Sequence, residues 1–155
     1  MGLSTGGFPA VQEMPDDAWR TTLQGYVDTV ILRDIIERHN ITNVALLKLL
    51  ATTLIQNAAS PFSANKFFND AKSRGYKVSK DSIQNYMDYM QDAFLVFTVP
   101  HYSASERARS TNPKKIYAID TGLIRAVTPT HQTGIGKLFE NLVYLDLRRQ
   151  GLEVY

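Results

Sequence analysis

Basic and amide side chains gather between residues 77 and 115, and their types suit contacts with nucleic acids. Lysine and arginine pair with phosphate groups, whereas glutamine and asparagine form hydrogen bonds with the edges of bases. From Lys66 to Lys115 the chain carries nine basic and five acidic residues, a local charge of +4, while the remainder carries −2. The candidate DNA-contacting residues are Lys77, Lys80, Gln84, Asn85, Arg107, Arg109, Lys114 and Lys115.

The first four of these residues lie on or beside a predicted helix-turn-helix. Ser63 and Ser79 each resemble a helix N-cap, because an apolar residue precedes the cap and another stands at the fourth helical position. Gly75 supplies the tight turn between a short helix and a longer one. The side chains expected to pack between these two helices are Phe67, Ile83, Met87 and Met90, and Phe94 continues the same helical stripe.

The other four candidate residues lie on a predicted β-hairpin. Residues 94–99 and 115–119 have the composition of strands. The polar, basic residues 100–114 between them should form a projecting loop, and a hairpin of this kind after a helix-turn-helix is typical of a winged helix. We expect this wing to supply most of any DNA affinity, since phosphate contacts dominate affinity, while the helix adds modest sequence preference.

The chain before the helix-turn-helix is predicted to be helical. Apolar residues at helical spacing predict an amphipathic helix over about residues 15–39. A second helix, apolar on most sides, should begin at an N-cap on Thr42 or Asn43 and end at Pro61.

The chain after the hairpin should continue as two helices and a strand. Asp120 is expected to cap a short helical turn, and a last helix should run from about Gly134 to Gly151, followed by a strand at residues 152–155. The apolar stripe of the last helix should pack on the winged-helix core or on a second copy of the chain. This stripe consists of Leu138, Phe139, Leu142 and Leu145.

No motif in the sequence marks an active site. The chain contains no phosphate-binding glycine motif, and the absence of cysteine excludes disulfides and thiolate metal sites. The histidines His39, His101 and His131 lie far apart and lack the spacing of metal ligands. We therefore predict no catalytic residue, no metal and no cofactor. The cytoplasm is the expected compartment, since neither a signal peptide nor an apolar run of membrane-spanning length is present.

Several sequence stretches carry a resemblance to a known family. They are Gly-Gly-Phe-Pro at 6–9, LRDIIER at 32–38, SPFSANK at 60–66, VSKDS at 78–82, DAFL at 92–95, NPKKIYAIDTGL at 112–123 and LFENLVY at 138–144. The chain resembles the C-terminal region of bacterial and archaeal ATP-binding proteins of the AAA type, in which a P-loop ATPase domain precedes a domain of unknown function. The resemblance implies a winged helix followed by the start of a fold like that of PD-(D/E)XK nucleases, with Glu140 at the position of a metal-holding acid.

The combined prediction is a mainly α fold with a small β-hairpin. Its parts are an N-terminal loop and long helix at 1–40, a winged-helix domain at 41–127, and the first helix and strand of a truncated nuclease-like domain at 128–155. We expect a non-catalytic DNA-binding domain that works with the ATPase domain of a longer protein. The alternative is a protein-interaction or self-association module, such as a homodimer through the last helix, whose surface charges are merely solvated.

Overall fold

The computed structural model describes residues 6–129 and 132–155, and over this part of the chain the fold is mainly helical with one small sheet. The predicted fold class is therefore confirmed. A short 3₁₀ helix at Pro9–Val11 precedes the main elements. These are α1 (Asp16–Val30), which continues as a π-helical stretch (Ile31–Glu37), α2 (Val44–Gln56), β1 (Ser60–Phe62), α3 (Ala64–Ser73), α4 (Lys80–Asp92), β2 (Val96–Val99), α5 (Glu106–Thr111), β3 (Lys114–Ala118), α6 (Thr121–Val127) and α7 (Ile135–Arg149).

The two helices of the predicted helix-turn-helix, and the turn between them, form as their capping residues predict. The Ser63 side chain accepts a hydrogen bond from the backbone N–H of Lys66, and Ser79 forms a reciprocal capping box with Ser82. Between the two helices Gly75 adopts a left-handed φ of 86°, which a side chain would strain. The side chains predicted to pack between α3 and α4 are all buried in the main core, namely Phe67, Ile83, Met87 and Met90.

The sheet has three antiparallel strands in the order β1-β3-β2. Strands β2 and β3 form the predicted hairpin, but β1 was not foreseen. The prediction that Pro61 ends the second helix is wrong, because α2 already ends at Gln56 and Pro61 lies within β1. Proline is tolerated there because β1 is an edge strand. On the other edge, the backbone N–H and hydroxyl of Thr98 both donate to the side-chain oxygen of Gln91, so α4 satisfies part of the open edge of β2.

Two predictions about Phe94 and the wing are wrong. Helix α4 ends at Asp92, and Phe94 adopts a left-handed φ of 56° with its side chain 60% exposed. The chain must reverse there to enter β2, as the hydrogen bond from the N–H of Leu95 back to the carbonyl of Met90 indicates, and this reversal turns Phe94 outward. The segment between β2 and β3, which was predicted to be an open loop forming a wing, contains the short helix α5, capped by Ser105.

The last helix is confirmed, but the predicted inward stripe is only partly correct. Phe139 is 59% exposed and Leu142 is half-buried, whereas Asn141 and Tyr144 are buried beside Leu138 and Leu145. The hydrogen bonds and ring stacking that join α7 to β3, described below, fix the rotation of α7 about its axis and so decide which of its residues face inward. The predicted strand at residues 152–155 does not form, since this segment pairs with no strand among the described residues.

Two hydrophobic clusters hold the fold together. The larger one lies between α1, α2, α3, α4 and α6 and reaches Leu138 of α7. The smaller one packs α7 on the sheet through Ala59, Phe97, Val99, Tyr117, Tyr144 and Leu145. Helix α7 thus packs on the rest of the chain, which is one of the two partners predicted for it. None of the described helices is both long and apolar enough to cross a membrane.

Candidate nucleic-acid interface

An open groove of about 310 Å³ lies where the start of α3, the middle of α4 and the start of β3 meet. Gln84 from α4 and Lys114 from β3 both line it, although 30 residues separate them in the sequence. Asn65 and Asn112 add further amide groups, and Met87 contributes an apolar wall. The groove therefore brings together one predicted residue from the helix-turn-helix and one from the hairpin.

Of the other predicted residues of the helix-turn-helix, Lys80 lies one helical turn before Gln84, Asn85 directly follows it, and Lys77 lies in the turn before α4. Lys80 and Asn85 are exposed, at the first and sixth positions of α4. Gln84 donates to a carboxylate oxygen of Asp88 at 3.0 Å, which orients its amide along the helix. The backbone carbonyl of Lys77 accepts a 2.7 Å hydrogen bond from the side chain of Asn43, so the turn is tied to the start of α2.

The two arginines of the wing are carried by α5. Arg107 and Arg109 are both exposed, and the hydroxyl of Ser105 accepts from the N–H of Ala108 to cap their helix. The C-terminal residues lie beside this segment, because the rings of Tyr102 and Tyr155 meet edge to face with centroids 5.4 Å apart. The two arginines are thus carried by a short, capped helix that lies next to the C-terminal residues.

Lys115 differs from its neighbour Lys114 because it forms an ion pair with α7. Its ammonium nitrogen lies 2.5 Å from Oε1 of Glu140, and the hydroxyl of Tyr117 donates to the same oxygen at 2.9 Å. The hydrogen bond from Lys115 is the main cause that holds the pKa of Glu140 below its usual value. Burial, and then the bond to Glu140, raise the pKa of Tyr117. Glu140, the predicted nuclease-like acid, is therefore an ionised partner for a lysine in this fold.

Asn141 was not foreseen and provides the most buried polar contact of α7. Its amide N–H donates to the backbone carbonyl of Ala118 at 2.9 Å, and its carbonyl oxygen accepts from the N–H of the same residue at 2.8 Å. Strand β1 does not extend to this position, so Asn141 takes the place of a missing strand partner. The neighbouring rings of Tyr144 and Tyr117 stack at 4.0 Å. An asparagine among the apolar residues of a helix was the signal that could have indicated such a site.

Asp120 caps α6 as predicted and also joins α6 to the start of the chain. Its carboxylate accepts from the N–H of Gly122 at 2.7 Å and from the N–H of Gly7 at 2.5 Å. Gly6 has a φ of 82°, and a Cβ there would lie 1.8 Å from the Asp120 carboxylate, so only glycine fits. Desolvation raises the pKa of Asp120, and the backbone hydrogen bonds oppose that shift. No local pattern indicates this contact, since 113 residues separate its partners.

The described histidines do not come together. His39 stacks on the ring of Tyr89 at 3.6 Å, and Nδ1 of His101 lies 2.9 Å from the carbonyl oxygen of Tyr102. His131 lies outside the described residues.

Comparison with known proteins assigns the chain to a family. The domain of unknown function DUF8612 matches residues 2–134. An uncharacterised protein of Methanocaldococcus jannaschii is 34% identical over 150 residues, which is 96% of this chain and 33% of that protein. An uncharacterised protein of Haemophilus influenzae is 27% identical over 149 residues, 96% of this chain and 37% of that protein. The chain thus spans about a third of the length of these curated relatives.

No solved structure matches the chain. The family match covers most of the sequence, from the Gly6–Gly7 segment that contacts Asp120 to the start of the last helix. The chain therefore belongs to the DUF8612 family.

Proposed function

We propose that residues 41–127 form a winged helix that binds duplex DNA without catalysing a reaction. The order of elements supports this proposal: helix, strand, helix, helix, strand and strand run from α2 to β3, with α5 between the last two strands, α6 after them and the sheet arranged β1-β3-β2. The short helix α5 stands in the position of the wing.

The groove between α3, α4 and β3 is the observation on which the proposal rests. An amide from α4, Gln84, and a cation from the hairpin, Lys114, line the same cavity. Lys80, one helical turn before Gln84, extends this surface along α4, and the exposed Asn85 is the residue after Gln84. Base edges are read by amide side chains and phosphates are bound by cations, so the surface offers both kinds of contact on one side of the domain.

Duplex affinity measured at several salt concentrations tests the proposal. Each lost phosphate contact should flatten the slope of log affinity against log salt by about 0.9. Changing Arg107, Arg109, Lys114 and Lys115 together to alanine should flatten it by about three to four units if all four bind phosphate. Lys48→Ala is a matched control, because Lys48 is exposed on α2 beside α1, away from the groove. Absence of duplex binding by the wild type at low salt would overturn the proposal.

A second candidate function is self-association through α7. Ile135, Phe139 and Val143 follow one another at four-residue intervals along this helix and are 75%, 59% and 40% exposed. Such spacing places them on one face, and a contiguous apolar face favours a protein contact. Sedimentation velocity of the wild type and of Phe139→Ser decides this candidate. A dimer that the substitution dissociates, together with no DNA binding, would replace the first proposal.

The longer relatives supply the context of the proposal. We expect them to carry a P-loop ATPase domain and a nuclease-like region outside the part that matches this chain, which a search of their sequences for GxxxxGK[ST] checks. The chain by itself should neither hydrolyse ATP nor cut DNA. Turnover that co-purifies with it and is abolished by a point substitution would refute this expectation.

A further inference from the structure

Two lysines from different helices each lie close to the same aromatic ring at the seam between α3 and α4. The ammonium nitrogens of Lys72 and Lys80 each lie 5.7 Å from the centroid of the Phe68 ring. They are therefore no more than about 11 Å apart. Lys72 lies in the last turn of α3 and Lys80 begins α4, so the turn at Gly75 is what brings them together. Both lysines are exposed, while the Phe68 ring is half-buried against the main core.

This pair of lysines lies along the same seam as the groove. Phe68 follows Ala64 by one helical turn, and Lys80 precedes Gln84 by one helical turn. Ala64 and Gln84 both line the groove, so the lysine pair continues it toward the turn of the helix-turn-helix. The seam thus has cations at both ends, Lys114 at one and the lysine pair at the other, with the amide of Gln84 between them.

Neither Lys72 nor Lys80 forms an ion pair with another described residue. The ion pairs seen between described residues join Arg74 to Asp70 and Lys115 to Glu140. Asp70, on the same helix as Lys72, is therefore already occupied by Arg74. Asp81 follows Lys80 in the first turn of α4 and is the acid beside the pair in the sequence. A ring beneath an ammonium group orients it without neutralising its charge, since the attraction is to the quadrupole of the ring.

We infer that Lys72 and Lys80 form a second phosphate-binding site for the backbone of the DNA strand whose bases approach Gln84. The inference rests on the proposed DNA binding and adds Lys72 to the contact surface. Its ligand is the phosphodiester of a nucleic acid. The Phe68 ring limits the motion of both side chains, so less conformational freedom is lost when they bind.

The salt dependence of duplex binding tests this site. Lys72→Ala should flatten the log–log slope by about 0.9, and Lys72→Ala combined with Lys80→Ala should flatten it by about 1.8. Lys66→Ala is the matched control, because Lys66 is an exposed lysine of the same helix that lines a different surface, beside α2 and β1. Its slope should equal that of the wild type. Circular dichroism checks that every variant keeps its helical content.

Each result bears on a different claim. If the wild type binds with a steep slope but the slope of Lys72→Ala coincides with that of the wild type, the second site is wrong and the proposed function stands. If Lys66→Ala flattens the slope as much as Lys72→Ala, the contact is spread over α3 and the specific site is wrong. If the wild type does not bind duplex DNA at low salt, the proposed function fails and the site fails with it.

Discussion

Two carboxylates each join parts of the chain that are far apart in the sequence, and they do so in opposite ways. Asp120 is 8% exposed and accepts hydrogen bonds from the backbone of Gly7 and Gly122. The Glu140 side chain is 42% exposed and pairs with the ammonium group of Lys115. Desolvation raises the pKa of Asp120, whereas the hydrogen bond from Lys115 lowers the pKa of Glu140.

A carboxylate can therefore make the stability of the fold rise or fall with pH, depending on whether folding lowers or raises its pKa. Because the pKa of Glu140 is lower in the folded state, its stabilising contribution is present above the unfolded pKa and is lost as the pH falls through the folded pKa. Because the pKa of Asp120 is higher in the folded state, the part of its contribution that depends on protonation is fully present below the unfolded pKa and is lost as the pH rises through the folded pKa. The hydrogen bonds from Gly7 and Gly122 are still accepted by the ionised carboxylate.

The largest expected effect comes from Asn141, the neighbour of Glu140 on α7. Asn141→Ala leaves both the N–H and the carbonyl of Ala118 buried without a partner, and each such group costs about 1–3 kcal/mol. The free energy of unfolding, measured with urea, should therefore fall by roughly 2–6 kcal/mol. Asn85→Ala, at an exposed position of α4, is the control and should change it by less than about 0.5 kcal/mol. A loss below about 1 kcal/mol for Asn141→Ala would contradict the paired geometry.

Removing the buried carboxylate should come next. Asp120→Ala takes the acceptor away from the N–H groups of Gly7 and Gly122, and we expect a loss of about 2–4 kcal/mol. The same substitution should speed hydrogen exchange at Gly122, whose amide is bonded to the carboxylate. Asp28→Ala, an exposed aspartate of α1, serves as the comparison. Equal losses for the two variants would show that Asp120 does not hold these segments together.

Removing the exposed carboxylate should hardly change stability but should strengthen DNA binding. Ion pairs with half-exposed partners contribute about 1 kcal/mol or less, so Glu140→Gln should cost no more than that. The substitution frees the Lys115 ammonium group, and the salt slope should become steeper by up to about 0.9 if that group then reaches a phosphate. Asp146→Asn on the same helix is the control. A slope unchanged by Glu140→Gln would show that releasing Lys115 from Glu140 adds no phosphate contact in the proposed complex.

The smallest expected effect is the pH dependence of the Glu140 pair. The difference in unfolding free energy between the wild type and Glu140→Gln should shrink as the pH is lowered from 7 through the pKa of Glu140. This follows because protonated Glu140 no longer attracts Lys115. Urea titrations at several pH values measure the difference. A difference that stays constant down to pH 3 would mean that Glu140 does not gain stability from its charge.

Local signals predicted the helical part of the fold well. Caps at Asn43, Ser63, Ser79 and Asp120 and the glycine turn at Gly75 depend on residues within a few positions of one another, and all of them form. Strand β1 has only three residues with a proline in the middle, so neither periodicity nor composition marks it. This strand forms because the edge of β3 supplies its hydrogen-bond partners, and that pairing depends on the tertiary structure and not on the local sequence.

The candidate site was predictable in its residue types but not in its pairings. Composition identified Lys114 and Lys115 alike, yet one lines the groove and the other pairs with Glu140, 25 residues further on. Periodicity assigned Phe139 to the buried face of α7, but the hydrogen bonds of Asn141 set the rotation of the helix and leave Phe139 exposed. Contacts of this kind depend on the packing of the finished fold, which helical spacing does not encode.

The contact between Gly7 and Asp120 has a consequence for synthesis of the chain. A ribosome adds about 5–20 residues per second, so the 113 residues between these partners correspond to roughly 6–23 s of translation. During that interval the Gly6–Gly7 segment has left the ribosome ahead of the carboxylate that it binds. The Gly6–Gly7 segment is therefore fixed in place late, after α1 to α4 have had time to form.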